Sequence, residues 1–192
     1  KVENSITHAI EEIRSKSKTV KLPSLTSLPK DKIGGSVKTL MTIIAAGHLV
    51  PIYKISISGF DTHTEQANKH QRLCKVLDDT FESLYQGLNH LGVWDRSLIM
   101  TYSEFGRRVK ENGSRGTDHG TANVQFLMGG KIKGGLYGQT PSLKNLDREG
   151  NILYHLDFRA IYASLIEDWF KIKKAKLLTD WRAQAPRFIR NL

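Results

Sequence analysis

The order of secondary-structure signals between residues 53 and 103 constrains the fold more than any other feature of the chain. YKISISGF, 53–60, is rich in β-branched and aromatic residues and predicts a strand. From about Thr64 to Leu91 apolar residues recur every three or four positions, which predicts a long helix. SLIMTYS, 97–103, predicts a second, buried strand. Elements of these lengths in this order predict a right-handed crossover with parallel strands.

Further elements extend this prediction in both directions. Residues 2–14 have the apolar spacing of a short amphipathic helix, and 36–47 predict a helix with Ser36 as N-cap and Gly47 as C-cap. VQFLMGG, 124–130, predicts a third strand, and Asp157 is placed to cap a final helix. We therefore predict an α/β fold, with a mostly parallel central sheet and helices on both faces.

Composition and cysteine content narrow the class of protein. The chain has 192 residues, of which 39% are hydrophobic and 25% charged, as in ordinary globular domains. Its longest apolar run is far below the ~18 residues of a membrane span, so no membrane segment is predicted. Cys74 is the only cysteine, which excludes an intrachain disulfide and a multi-cysteine zinc site. Within its helical pattern it is expected to be a small buried side chain.

The formal net charge of +10 favours anionic partners. Phosphate or sulfate esters, acidic polysaccharides and nucleic acids all meet that description. The basic clusters at 14–21 and 171–176 lack interleaved aromatic residues for base stacking, and no nucleic-acid-binding motif accompanies them. Nucleic acid is therefore not the expected partner, and a merely solvated basic surface is the simplest alternative.

A first polar segment, GFDTH at 59–63, directly follows the first predicted strand, and ligands bind beyond such strand ends in open α/β sheets. In an extended chain Asp61 and His63 lie two residues apart and point to the same side, which suits two ligands on one metal ion. An aspartate that caps the next helix, beside an incidental exposed histidine, explains the same pattern.

A second polar segment, SEFGRR at 103–108, directly follows the second predicted strand. Glu104 offers a carboxylate there, and Arg107 with Arg108 offers charge that would hold an anionic ester. The alternative is a helix start, with Ser103 as N-cap and Glu104 in the first turn.

The third polar segment, GTDHGTAN at 116–123, precedes the third predicted strand. Gly116 and Gly120 allow sharp bends, so a tight loop is expected to present Asp118 and His119. Three such segments within one predicted sheet indicate a divalent metal site, with zinc, manganese, magnesium or calcium as candidate ions. NGS, 112–114, matches the N-glycosylation pattern, as three residues often do by chance.

Four stretches together resemble a known family in order and spacing: GFDTHTEQ, LGVWDRSLIMTYSEFGRRVKENGSRGTDHGTAN, MGGKIKGGLYGQTPSL and LDFRAIYASLIEDWF. They resemble a large bacterial family, domain of unknown function 1501, which is grouped with the sulfatase-like part of the alkaline phosphatase superfamily. The resemblance covers about residues 36–170. It leaves 1–35 as an amino-terminal helix and irregular connection, and 171–192 as a basic tail.

The resemblance implies a metal site at the carboxyl edge of a parallel sheet. By position, Asp61 and His63 resemble the first ligand pair of the superfamily, and His119 resembles its late histidine ligand. A second ion normally takes an Asp-His pair in a sequence of the type SDHG, where this chain has SEFG. Phe105 cannot ligate a metal. The second site is therefore either built differently, with Glu104 and Asp118 contributing, or absent.

Family members are typically about twice this length and often carry an export signal. The chain thus resembles a carboxyl-terminal half whose nucleophile-bearing partner half precedes it, from a periplasmic or exported protein. The expected function is metal-dependent hydrolysis of phosphate or sulfate esters, with Arg107 holding the substrate anion. The alternative is a non-catalytic relative that keeps the fold as a scaffold or binds an anionic polymer.

Overall fold

The computed structural model describes residues 11, 15, 18–172 and 185–190. The chain divides into two units, a helical unit of Lys1–Thr62 and Ala67–Trp94, and a hairpin unit of His63–Gln66 and Asp95–Leu192. Most of the predicted amino-terminal helix, 2–14, and most of the basic tail lie outside the described residues. Helices and small antiparallel sheets make up the regular structure of the described part.

Helix α1 spans Lys32–Ala45 and begins earlier than its sequence predicts. Asp31 is the N-cap, because its Oδ1 accepts hydrogen bonds from the backbone nitrogens of Ile33 and Gly34 at 2.8 and 3.3 Å. Ser36, the predicted cap, lies inside the helix and donates to the Lys32 carbonyl at 3.1 Å. The predicted apolar face is confirmed, since Val37 and Met41 are fully buried.

Helix α2 spans Gln66–His90, close to the predicted bounds. Its buried face includes Leu84 and Leu88, which are 7% and 5% exposed. A Cβ on Gly87 would lie 2.3 Å from the Met41 sulfur, so the absence of a side chain there lets α1 and α2 approach closely. The 3.6-residue periodicity of the sequence identified this helix correctly.

Both long helices end in the same hydrogen-bonded motif. After α1 the nitrogens of Gly47 and His48 donate to the carbonyls of Ile44 and Ile43, and Gly47 has φ +83°. This is a Schellman ending, which needs a left-handed residue and so favours glycine. After α2, Gly92 with φ +67° holds the equivalent position. Gly47 as the stop of α1 is therefore confirmed.

The strands depart most from the sequence prediction. Residues 53–60 form no strand, so the predicted parallel crossover with 97–103 is wrong for the described structure. Within 97–103 and 124–130 only β1, Ile99–Met100, and β4, Leu127–Met128, form a ladder, and it is antiparallel. Strand composition shows that a segment tolerates an extended backbone. Which edge it pairs with depends on distant chain that local pattern does not encode.

A second antiparallel pair forms where loops were expected. Strand β2, Gly106–Glu111, pairs with β3, Thr117–Gly120, with Arg107 opposite His119 and a register shift before Glu111. The predicted tight loop around Asp118 and His119 is therefore a strand, and the helix start considered at Ser103 is absent. GRRVKE is too polar to show the alternation by which a half-buried strand is usually recognised.

The core of the hairpin unit lies under the carboxyl-terminal helix. Helix α3, Phe158–Ser164, continues as a π-helical turn, Leu165–Trp169, and the predicted Asp157 cap is confirmed by a 2.9 Å bond from the Arg159 nitrogen. Ile161 and Leu165 bury against Phe188 and Ile189, and β1 and β4 contribute partly buried side chains to the same cluster.

The exposure of Cys74 differs from the sequence prediction, whereas the helices agree with the prediction about membrane spans. Cys74 is exposed rather than buried, because it lies on the outer side of α2. Among the described residues no helix is both long and apolar enough to cross a membrane, as the sequence predicts.

Candidate metal centre

Three predicted ligands come together in the structure. Asp61, His63 and His119 each offer one ligand atom, and these atoms all lie within 4.8 Å of one another. The Nε2 atoms of the two histidines are 3.2 Å apart, although 56 residues separate them in sequence. Two imidazole nitrogens bound to one tetrahedral zinc ion at about 2.0–2.1 Å lie about 3.3–3.4 Å apart. The observed spacing thus fits two ligands of one ion, and it also fits one N–H···N hydrogen bond.

The loop between β2 and β3 holds the backbone from the His63 carbonyl to Gln66. Asn112 donates from Nδ2 to the His63 carbonyl at 3.0 Å, while its Oδ1 accepts from the nitrogens of Ser114 and Gly116 at 2.9 and 3.0 Å. The nitrogen of Glu65 donates to the Ser114 carbonyl at 3.1 Å. One asparagine side chain therefore shapes its own loop and also holds the His63 carbonyl.

Glu65 and Arg115 are a strained pair in this contact. They have φ of +49° and +59°, in the left-handed region that residues with side chains rarely adopt. Their side chains form an ion pair, and the nitrogen of Gln66 donates to the Arg115 carbonyl at 2.8 Å. Strained residues of this kind persist only where the surroundings determine the backbone, and they concentrate at functional sites.

Glycine is required at position 116 because the His63 backbone lies very close to it, and not because the chain bends sharply there as predicted. A Cβ at this position would lie 2.1 Å from the backbone carbonyl carbon of His63. A Cβ on Gly120 would similarly lie 2.7 Å from the Arg107 carbonyl carbon, across the β2–β3 ladder. Neither glycine has a positive φ. Gly116 therefore lets β3 approach the His63 backbone, and Gly120 lets β3 approach β2 beside His119.

Asp118 lies beside the other ring nitrogen of His63. Its Oδ1 is 3.8 Å from His63 Nδ1, and the two side chains are 59% and 45% exposed. Metal-bound histidines commonly turn their second nitrogen toward a carboxylate, which fixes the tautomer and the orientation of the ring. Asp118 is thus placed to orient a ligand, while the three clustered ligand atoms come from other residues.

Phe105 and Arg107 flank His119. The Phe105 and His119 rings stack with centroids 3.9 Å apart and planes inclined by 6°. The Arg107 guanidinium carbon lies 4.9 Å from the Phe105 centroid, and Nη1 donates to the Thr117 carbonyl at 2.8 Å. Positive charge, aromatic ring and candidate ligand therefore adjoin one another. Glu104 lies exposed at the bend before β2 and is not one of the three clustered ligands.

Comparison with known protein families gives a match over most of the chain. Residues 7–180 match the family described as Protein of unknown function (DUF1501). The chain belongs to this family. Comparison with curated proteins and with solved structures found no match. The family resemblance inferred from the sequence is therefore confirmed, and it extends beyond the 36–170 that the motifs covered.

Sequence patterns missed what holds the ligands in place. Asn112 belonged only to a possible glycosylation pattern, but the structure shows its amide bonded to the segment that carries His63. Phe105 was notable as a residue that cannot bind metal, and its stacking on His119 was not foreseen. A usable signal in this sequence was the run NGSRG, 112–116, directly before TDHG. A polar loop with two glycines, adjoining a ligand motif, is placed to support it.

Proposed function

We propose that this chain binds one divalent metal ion through Asp61, His63 and His119. The observation that carries the proposal is the 3.2 Å separation of the two histidine Nε2 atoms, with an aspartate ligand atom inside the same 4.8 Å cluster. Some catalytic zinc sites bind the ion through two imidazoles and one carboxylate, and the fourth coordination position of the ion is open to water or substrate. Zinc or manganese suits this set better than magnesium or calcium, which prefer oxygen ligands.

The chemistry we propose for the site is hydrolysis of phosphate or sulfate esters. When bound, a divalent ion supplies Lewis-acid stabilisation of negative charge on an ester oxygen. Arg107 pairs with His119 across the β2–β3 ladder, so its charge lies next to the ligand set, where it would bind the substrate anion. The hydrogen bond to the Thr117 carbonyl fixes the guanidinium in that position.

Placement in the alkaline phosphatase superfamily is part of the same proposal. The order of the three motifs and the clustering of Asp61, His63 and His119 support it. The serine, threonine or modified cysteine nucleophile used in that superfamily is not assigned to a residue of this chain. What the proposal assigns to the chain is binding of the ion and orientation of the anion.

The first test is metal binding by the chain itself. After EDTA treatment and dialysis, calorimetric titration with Zn²⁺ and Mn²⁺ should show one ion per chain. His119→Ala should lose most of this affinity because it removes one of three ligands. His155→Ala is the matched control, since His155 is an exposed histidine outside the cluster. Equal affinity of wild type and His119→Ala for the metal ion would contradict the proposed metal site.

The second test separates ester hydrolysis from metal binding alone. Inorganic phosphate and sulfate should bind the zinc-loaded chain more tightly than the metal-free chain, and Arg107→Ala should remove most of that difference. Turnover of aryl phosphate and aryl sulfate esters is then measured on the protein expressed from its complete gene. If that protein binds zinc but neither oxyanion, and cleaves neither ester, the hydrolase assignment fails and the metal site stands.

A further inference from the structure

The Phe105–His119 stack differs in geometry from the other ring pairs described in the chain. Its planes are inclined by only 6°, with centroids 3.9 Å apart. Four pairs elsewhere cross at 75° to 89°: Phe60–His70, Tyr85–Trp94, Tyr137–Phe188 and Phe158–Tyr162. Aromatic rings ordinarily prefer edge-on or offset arrangements at 4.5–7 Å, because the negative faces of two π-systems repel. The Phe105–His119 pair is therefore the parallel member of this set, with centroids closer than that range.

An electron-poor imidazole would strengthen a parallel stack of this kind. A ring that gives electron density to a cation through Nε2 becomes more positive, and its attraction to a phenyl face then resembles a cation–π contact. The Phe105 face already attracts positive charge, since the Arg107 guanidinium carbon lies 4.9 Å from its centroid. Ligation of a metal by His119 would therefore strengthen its stack on Phe105.

The backbone of Phe105 is fixed by two side chains. Its carbonyl accepts a hydrogen bond from Ser103 Oγ at 2.9 Å and another from Asn123 Nδ2 at 3.3 Å. Asn123 follows β3 and Ser103 precedes β2, so the residues on both sides of the hairpin hold Phe105 at its base. The phenyl ring is therefore a fixed surface on which the His119 ring can rest.

We propose that Phe105 is a positioning residue, whose ring stacks on His119 and holds its Nε2 toward His63 and the bound ion. This inference rests on the proposed metal site. The phenyl ring offers no donor atom, so it also occupies the space beside His119 without creating a second coordination site. Phe105 thereby restricts the centre to one ion and orients the His119 ring before the ion binds.

The test compares three variants with wild type by Zn²⁺ titration and by visible absorption of the Co²⁺ form. Phe105→Tyr keeps the stack and should bind one equivalent with near wild-type affinity and spectrum. Phe105→Leu keeps apolar bulk without a π-face and should bind about 10-fold more weakly, as other residues that orient ligands do, with a shifted Co²⁺ spectrum. Phe158→Leu is the matched control, because Phe158 is exposed, crosses Tyr162 at 89° and has Arg159 over its ring.

The outcomes separate this inference from the function it rests on. If wild type binds no metal, the proposed metal site fails. If wild type binds zinc, and Phe105→Leu matches it in affinity and Co²⁺ spectrum, only the positioning role fails. A measurement that needs no variant is the ¹H NMR spectrum of the zinc-loaded chain. The stack should move the His119 ring protons upfield by the Phe105 ring current, and unshifted protons would overturn the proposal even if Phe105→Leu did not fold.

Discussion

Asn112 shows how one side chain can determine the position of another that lies far away in sequence. Its amide bonds simultaneously to the His63 carbonyl and to two nitrogens of its own loop. Each ring nitrogen of His63 in turn faces another side chain, His119 on one side and Asp118 on the other. The backbone of the candidate ligand is thus held by one residue, and two others lie beside the nitrogens of its ring.

Replacing Asn112 by alanine should weaken the metal site without unfolding the chain. Three hydrogen bonds are lost, at about 1 kcal/mol each before the loop relaxes, and His63 is no longer held opposite His119. We expect Zn²⁺ affinity to fall about 10-fold, as for other residues that orient ligands.

Calorimetric titration of Asn112→Ala beside Asn145→Ala measures this effect, since Asn145 is an exposed asparagine of the same unit. Zinc affinity that is equal in the two variants would show that the loop does not set His63.

Single residues also show which parts of the site could be predicted. Asp61 and His63 could be predicted as a ligand pair from their spacing, and the family resemblance implied that His119 joins them; the structure brings the three together. Asn112 and Phe105 could not be assigned their contacts in this way. Asparagine and phenylalanine serve many purposes, and their contacts here depend on a distant backbone and on a neighbouring strand.

At the scale of secondary-structure elements, the helices were predictable and the strand pairing was not. The bounds of α2 and the Asp157 cap follow from local signals, namely apolar spacing and a carboxylate before a helical turn. Residues 53–60 have strand composition but form no ladder, and β2 has a polar sequence that conceals its ladder. Pairing is a property of two segments, so it cannot be read from one of them.

The Asp157 cap of α3 gives a prediction about pH. Asp157 is 8% exposed and bonds to Arg159 through Nε at 2.8 Å and Nη2 at 2.7 Å. These side-chain hydrogen bonds are the main cause that holds the pKa of Asp157 below its ordinary 3.8. A lowered pKa means that the stabilisation is fully present above about pH 4 and is lost as pH falls through the folded-state pKa.

Asp157→Ala should therefore lower the free energy of unfolding by about 1–2 kcal/mol at pH 7 and by less near pH 3. Urea unfolding of wild type and variant at both pH values measures the difference. Glu149→Ala removes an exposed carboxylate of the same unit and is expected to have little effect at either pH. A deficit in Asp157→Ala that stays constant down to pH 3 would show that the ionised form of Asp157 is not what stabilises the cap.

At the scale of the whole molecule, the proposed metal site and the anionic-polymer alternative predict different responses of Tm to zinc. A ligand that binds only the folded chain stabilises it by about 2.7 kcal/mol at 100 times its Kd, which for a chain of this size raises Tm by about 5–10 °C. Zn²⁺ added to the EDTA-treated protein should produce this shift. His119→Ala should show no comparable increase.

Insensitivity of Tm to both zinc and EDTA would instead favour the alternative, a non-catalytic protein whose net charge of +10 serves an anionic polymer. In that case heparin should bind tightly, and its affinity should fall steeply with salt concentration. The melting experiment separates the two outcomes, because a bound ion that stabilises the folded chain raises Tm, whereas binding of a polymer needs no ion.

The separation of 56 positions between His63 and His119 has a consequence for how the chain folds. An ion bound to both histidines joins two distant points of one polypeptide, and it therefore acts as a removable cross-link. In a disordered chain, closing such a loop costs entropy that grows with the logarithm of its length. Here α2 orders 25 of the intervening residues and the β2–β3 hairpin orders others. That cost is thus met mainly by folding itself, and an ion at the proposed site would bind after the chain has assembled.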